Sequence, residues 1–272
     1  MKAGAVEQHH LPRLSEIIAG ELRNRILSGE FADGDMLPKQ EDLLEQFGVS
    51  QPSVREALRV LETEGLVTVK RGNVGGAIVH APVASKVAYM LGMVLQSRSV
   101  PIGDVGNALA HLDPACAAQC ALRRDRKRTV VRILRATVKE SARLLDDPPA
   151  YAAVARRFHQ EMVDNCGNET MRIVVGTLET MWTEHVRWLS GRPRPESTRE
   201  EFQTLSARPG RKESLDEHAA LVELISAGDS PGAALQAHRH LSEHRQDLSY
   251  PFSLDTIVSA EILRDSSWRR AG

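Results

Sequence analysis

The sequence predicts a mainly α-helical protein in two parts. A small α-α-α-β-β unit covers residues 11–80, and an all-α bundle of about seven helices covers 83–250, followed by a C-terminal tail, 251–272. Three observations lead there. Apolar residues recur at three- and four-residue steps over most of the chain, the mark of amphipathic helices. The period switches once to alternation, between Leu66 and His80. Proline and glycine cut the pattern at intervals that suit short helices. A length of 272 residues fits two domains of ordinary size.

The first helix is set by Leu14, Ile17, Ile18, Leu22 and Ile26 and is stopped by Gly29 and the Phe31–Asp35 segment. A second runs from Gln40 to Phe47. Gly48 interrupts it, and Ser50 can cap a third from Gln51 to Glu64, with Pro52 tolerated in its first turn. Val54, Leu58 and Leu61 form its buried stripe, and Gly65 closes it. Two strands follow, Leu66–Lys70 and Ala77–His80, joined by the turn Gly72–Gly76. Two short helices joined by a tight turn and followed by a hairpin are a winged helix-turn-helix, whose second helix enters the DNA major groove.

Beyond Pro82 the expected helices are 83–97, 103–124, 127–146, 149–166, 168–190, 214–228 and 231–249, with a further short one at 254–264. Pro101, Pro148-Pro149, Gly167, Gly191 and Gly228 punctuate them, and 191–212 reads as an exposed loop. Ser214 with Glu217 three later fits a capping box opening the next helix.

The composition, 42% hydrophobic and 26% charged, is that of a soluble globular chain. No apolar run reaches the roughly 18 residues of a membrane span, and no start resembles a secretory signal. Three cysteines are too few for a disulfide framework. A cytoplasmic protein without a membrane partner is expected. The net charge of −1 looks unfriendly to nucleic acid, and residues 1–80 alone carry nine Lys+Arg against twelve Asp+Glu. Placement reverses that reading. Arg55, Arg59, Lys70 and Arg71 gather at the third helix and the wing, while Glu7, Glu16, Glu21, Glu30, Asp33 and Asp35 lie at the other end.

The string LPKQEDLLEQFGVSQPSVREALRVLETEGLVTVKRGNVGG, residues 37–76, resembles the GntR family of bacterial transcription regulators. The resemblance implies DNA contacts at Lys39, Gln51, Ser53, Arg55, Arg59, Arg71 and Gly72. Arg59 can equally pair with Glu56 or Glu62. Many relatives carry Arg where this chain has Glu41 and a basic residue where it has Gln51, so the operator is expected to differ from the family's commonest one. The segments LDPACAAQCALRR (112–124), ARRFHQEMVDNCGNETM (155–171), DEHAALVELISAGD (216–229) and AALQAHRHLSEH (233–244) resemble the FCD ligand-binding domain of the FadR subfamily.

What the second resemblance implies is a divalent metal site. The family's histidines map onto His159, His218 and His240, and neutral imidazoles suit zinc, the first expectation for the metal. The family's Asp, one turn before His159, is here Ala155. Three ligands then remain, and the metal's charge is expected to go unbalanced by a carboxylate, which favours an anionic effector. Without metal, the same histidines would line a polar pocket. The effector of such domains is commonly an organic acid, often held by an Arg at the position of Leu109. Arg187, on a helix with Trp182 and Trp188, is a candidate for the pocket border, together with the three histidines. His111 and His185 read as surface or pocket-rim residues, and Cys116 and Cys120 as packing.

The function that follows is a homodimeric repressor of double-stranded operator DNA, controlled by a small carboxylate. The alternative is a metal-dependent hydrolase built on the same three histidines. No HExxH or GxSxG string supports the alternative.

Overall fold

The computed structural model describes residues 13–70, 76–190, 208–247 and 254–268. The chain divides into two compact units between Val83 and Ala84.

The first unit contains α1 (Leu14–Leu27), α2 (Gln40–Phe47), α3 (Gln51–Thr63), β1 (Val67–Lys70) and β2 (Gly76–Val79). Its core is Ile18, Leu22 and Ile26 from α1, Leu43 from α2, Val54, Leu58 and Leu61 from α3, and Val67 and Val79 from the hairpin. Those are the positions that the helical and alternating periods pick out. The turn between α2 and α3 depends on Gly48, which takes φ +62° and donates its N–H to Leu44 O at 2.9 Å. Any Cβ there would be strained. Ser50 starts α3, yet its hydroxyl lies 3.3 Å from Ser53 Oγ, and no side-chain cap bond forms.

The strands pair antiparallel, Val67 opposite Val79 and Lys70 opposite Gly76. The free edge of β2 is covered by residues 34–37. Gly34 and Leu37 donate to Val79 O and Ala77 O, and Val79 N donates back to Asp35 O. The sequence gives no sign of this pairing, because the five residues from Gly34 to Pro38 show no alternation. It protects an edge that would otherwise be open. Two side-chain links tie the wing and α1 to α3: Glu62 accepts from Val69 N at 2.9 Å, and Glu64 takes a two-point bond from Arg23 at 2.8 and 2.6 Å.

The second unit holds α4 (Ala84–Ser97), α5 (Ile102–Leu122), α6 (Val130–Arg143), α7 (Pro148–Asp164), α8 (Glu169–Ser190), α9 (Arg208–Ala227), α10 (Ser230–Asp247) and α11 (Ala260–Trp268). Its main core joins α5, α6, α7, α8, α9 and α10 around Leu134, Phe158, Met162, Leu221 and Ile225. Pro114 sits inside α5 without ending it. Proline has no N–H, so the carbonyl four residues earlier loses its helical donor. His238 of α10 approaches that carbonyl, with Nδ1 3.2 Å from Ala110 O.

Three expectations need correction. Helix α9 begins at Arg208, not 214, so Ser214 lies inside it and opens nothing. The segment set apart as a tail packs as part of the unit. Leu254 and Thr256 accept from Gly103 N and Ile102 N, Val258 N donates to Val100 O, and Val258 and Leu263 are fully buried with Ala88, Ile102 and Met181. His185 is neither surface nor rim. It is fully buried, donating Nδ1–H to Met181 O at 2.7 Å and accepting Ser259 N–H on Nε2 at 2.9 Å. Burial pushes its pKa down, only partly opposed by the bond to Met181.

Candidate metal centre and nucleic-acid interface

Three helices deliver the three histidines to one point: α7 carries His159, α9 His218 and α10 His240. Their Nε2 atoms form a triangle with sides of 3.0 Å (His218 to His240), 3.2 Å (His159 to His240) and 3.3 Å (His159 to His218). His218 and His240 are buried, and the side chain of His159 is 13% exposed. The rings are held by packing. Phe158 stacks on His218 with centroids 4.1 Å apart and planes at 16°, and meets His159 edge-on at 5.7 Å.

Two of the three outward nitrogens face carboxylates. Nδ1–H of His240 donates to Glu217 Oε2 at 2.7 Å, and Nδ1 of His159 lies 3.6 Å from Asp113 Oδ2. Asp113 is fully buried. A proton on Nδ1 leaves Nε2 as a lone pair. Where both rings carry their proton on Nδ1, the two lone pairs 3.2 Å apart repel unless a cation lies between them. Three bonds of about 2.0–2.1 Å at tetrahedral angles would place nitrogens about 3.3 Å apart. The donor set therefore fits a divalent ion such as zinc. No carboxylate oxygen joins the three nitrogens as a fourth member of the group, among the described residues.

Ala155 stands where expected, one turn before His159, and packs against Leu145, Tyr151 and Leu215. The expectation that follows from it is corrected, however. A cation held by the three rings would have carboxylates near it, but they stand behind the imidazoles. Arg187 is not brought to the cluster: its side chain is 69% exposed, 3.5 Å from Glu184. Leu109 is buried in the main core. Cys116 and Cys120 are free and buried, their thiols pushed up by desolvation, Cys120 to about 12, which suits packing and not metal binding. A surface groove of about 540 Å³ reaches Glu217 from outside. It presents Glu213 and Asp216 beside Lys212 and so does not suit an organic acid.

On α3, Gln51, Arg55 and Arg59 follow one another at four-residue steps, all exposed, with Ser53 half-buried in the first turn. Lys39 is exposed at the start of α2. Arg59 lies 3.5 Å from Glu56, the pairing foreseen as its alternative role. Both side chains are more than half exposed, so the pair can open when a phosphate approaches. Arg71 and Gly72 lie outside the described residues.

A helix-turn-helix with an exposed basic recognition face, joined to a helical domain with an internal histidine site, defines a DNA-binding transcription regulator with a sensor domain. The comparisons agree. Residues 14–75 match the gntR family of bacterial regulatory proteins, and residues 104–243 match the FCD domain. The chain belongs to the gntR family, in its branch with a C-terminal FCD domain. It is 29% identical over 242 residues to the HTH-type transcriptional repressor NanR of Escherichia coli K12, covering 83% of this chain and 81% of the relative. It is 27% identical over 229 residues to NanR of Citrobacter rodentium, covering 83% and 82%. A solved structure of Streptococcus agalactiae GntR shares the fold, with TM-score 0.58 and 19% identity over 85% of this chain and 99% of that one.

The residues that sequence reasoning missed are Glu217 and Asp113. The sequence places Glu217 in a helix cap, and Asp113 passes unremarked within the segment 112–124. The available signal was adjacency: an acid directly before a candidate ligand histidine.

Proposed function

We propose that the protein is a homodimeric repressor whose hold on operator DNA is controlled by a small carboxylate bound in the helical domain, beside a divalent metal, zinc first. The observation that carries this reading is the meeting of three Nε2 atoms within 3.3 Å, two of their rings backed by carboxylates. His159, His218 and His240 would hold the ion, which supplies an electrophilic point for an anionic effector. Lys39, Gln51, Ser53, Arg55, Arg59, Arg71 and Gly72 are the DNA contacts of the reading. Two copies of α3 would address two half-sites of a near-palindrome. The repressor sense is supported by the relatives named NanR.

Effector binding and DNA binding are then linked reciprocally through one coupling free energy. A cytoplasmic place suits a regulator of DNA, and no helix among the described residues is long and apolar enough to cross a membrane. The hydrolase alternative draws nothing from the family matches, and Glu217 and Asp113 stand behind the rings instead of facing a substrate. The test is a gel shift on the gene's own upstream DNA with and without a panel of carboxylates, alongside metal content before and after chelation. Retarded DNA that a carboxylate releases, and about one metal per chain, are expected. No shift on that DNA refutes the regulator reading; metal-free protein whose melting does not respond to added Zn(II) refutes the metal.

A further inference from the structure

We infer that Glu217 and Asp113 are positioning residues of the histidine site: Glu217 holds His240 by a hydrogen bond from Nδ1, Asp113 faces Nδ1 of His159 as a charge, and both Nε2 atoms aim inward. The inference rests on the reading that the three histidines hold a divalent cation. Glu217 and His218 are neighbours on α9, and successive helical residues point about 100° apart. They cannot both reach the same point. His218 supplies its own ring, while Glu217 reaches the ring that α10 supplies. The contact is short, 2.7 Å, between side chains 15% and 6% exposed, so it is a charge-assisted bond with little water to compete.

Asp113 faces His159 from α5 at 3.6 Å, too far for a hydrogen bond, so it acts on that ring through its charge. Each carboxylate lies on a different helix from the ring it faces, so α5, α7, α9 and α10 all enter the site. Two carboxylates also match the charge of one divalent ion, which a buried site requires. The negative charge is thereby kept one layer out, although position 155 carries no acid. The arrangement raises the basicity of both imidazoles, fixes the tautomer of His240, and leaves the inner face of the site to incoming ligands.

The test uses the full chain, stripped with chelator and titrated with Co(II) by visible absorption and with Zn(II) by chelator competition. Glu217→Gln is nearly isosteric but no longer an anion. It should weaken both metals about 10–100-fold and shift the Co(II) bands, with melting of the metal-free protein unchanged. Glu217→Asp should recover part of the affinity, and Asp113→Asn should weaken binding independently. Should Glu217→Gln fail to fold, Asp113→Asn decides alone. Native-like affinity and spectrum in both Glu217→Gln and Asp113→Asn would overturn the inference and leave the metal reading standing. A native protein that takes up neither Co(II) nor Zn(II) would overturn both.

Discussion

Phe158 is the place where the core and the site are the same object. Its ring is fully buried, stacked 4.1 Å from His218 and edge-on to His159. Truncation to alanine removes a large core side chain and should cost about 3–5 kcal/mol, of which about 0.5–1.5 kcal/mol is the aromatic contact. Phe158→Leu keeps most of the volume and should cost about 1 kcal/mol. The leucine variant nevertheless loses the flat surface that orients His218. Its Zn(II) affinity should fall about tenfold, or about 1.4 kcal/mol. The assay is urea unfolding of metal-stripped protein followed by tryptophan emission. Trp182, Trp188 and Trp268 all fall after residue 84, so the signal reports the second unit alone. A chelator competition gives the metal affinity. The reasoning fails if Phe158→Ala costs less than about 1 kcal/mol, or if Phe158→Leu binds Zn(II) as tightly as the native chain.

Three further outcomes are expected. Gly106→Ala gains about 0.5–1 kcal/mol of helix propensity, but its Cβ would stand 2.7 Å from Trp182 Cζ3. Overpacking of about 1–3 kcal/mol should win, so the variant is less stable in urea, and the same change made beside Trp182→Ala should be neutral or stabilising. His185 has a pKa held below its unfolded value of about 6.5, so its contribution is full above that pH and is lost as pH falls through the folded value. Metal-stripped protein should lose melting temperature on going from neutral to mildly acidic pH, and His185→Gln should flatten that slope; an unchanged slope would remove His185 as its cause. The few cations near α3 and the wing predict a shallow salt dependence of operator binding in gel shifts, and a slope indicating more than about ten released ions per dimer would contradict it.

What the sequence made legible depends on range. Helices with strong apolar periods, such as Val54-Leu58-Leu61 on α3, and the left-handed glycine at 48, are local signals and lie where expected. The three histidines are 59 and 22 residues apart, so no local spacing unites them; the family resemblance did. Glu217 was misread because a Ser-x-x-Glu string is also the mark of a helix start, and only the true start at Arg208 shows otherwise. The pairing of residues 34–37 with β2, and of the segment at Pro101 with that at Ile257, are short runs of backbone bonds between distant segments that leave no trace in side-chain pattern. His185 is buried by the chain's last segment, which no local window includes.

That last segment lies beyond the FCD match, which ends at residue 243. It covers Ala88 of α4, the first helix of its unit to be synthesised, and Met181 of α8. One wall of this small core is therefore made early in synthesis, and the segment that covers it only after α10. Until that segment has been made, the apolar seat of Leu263 stays open to water and to other chains. A gene fragment trimmed to the family's boundary would lack the residues that fill this core and would leave its apolar wall exposed.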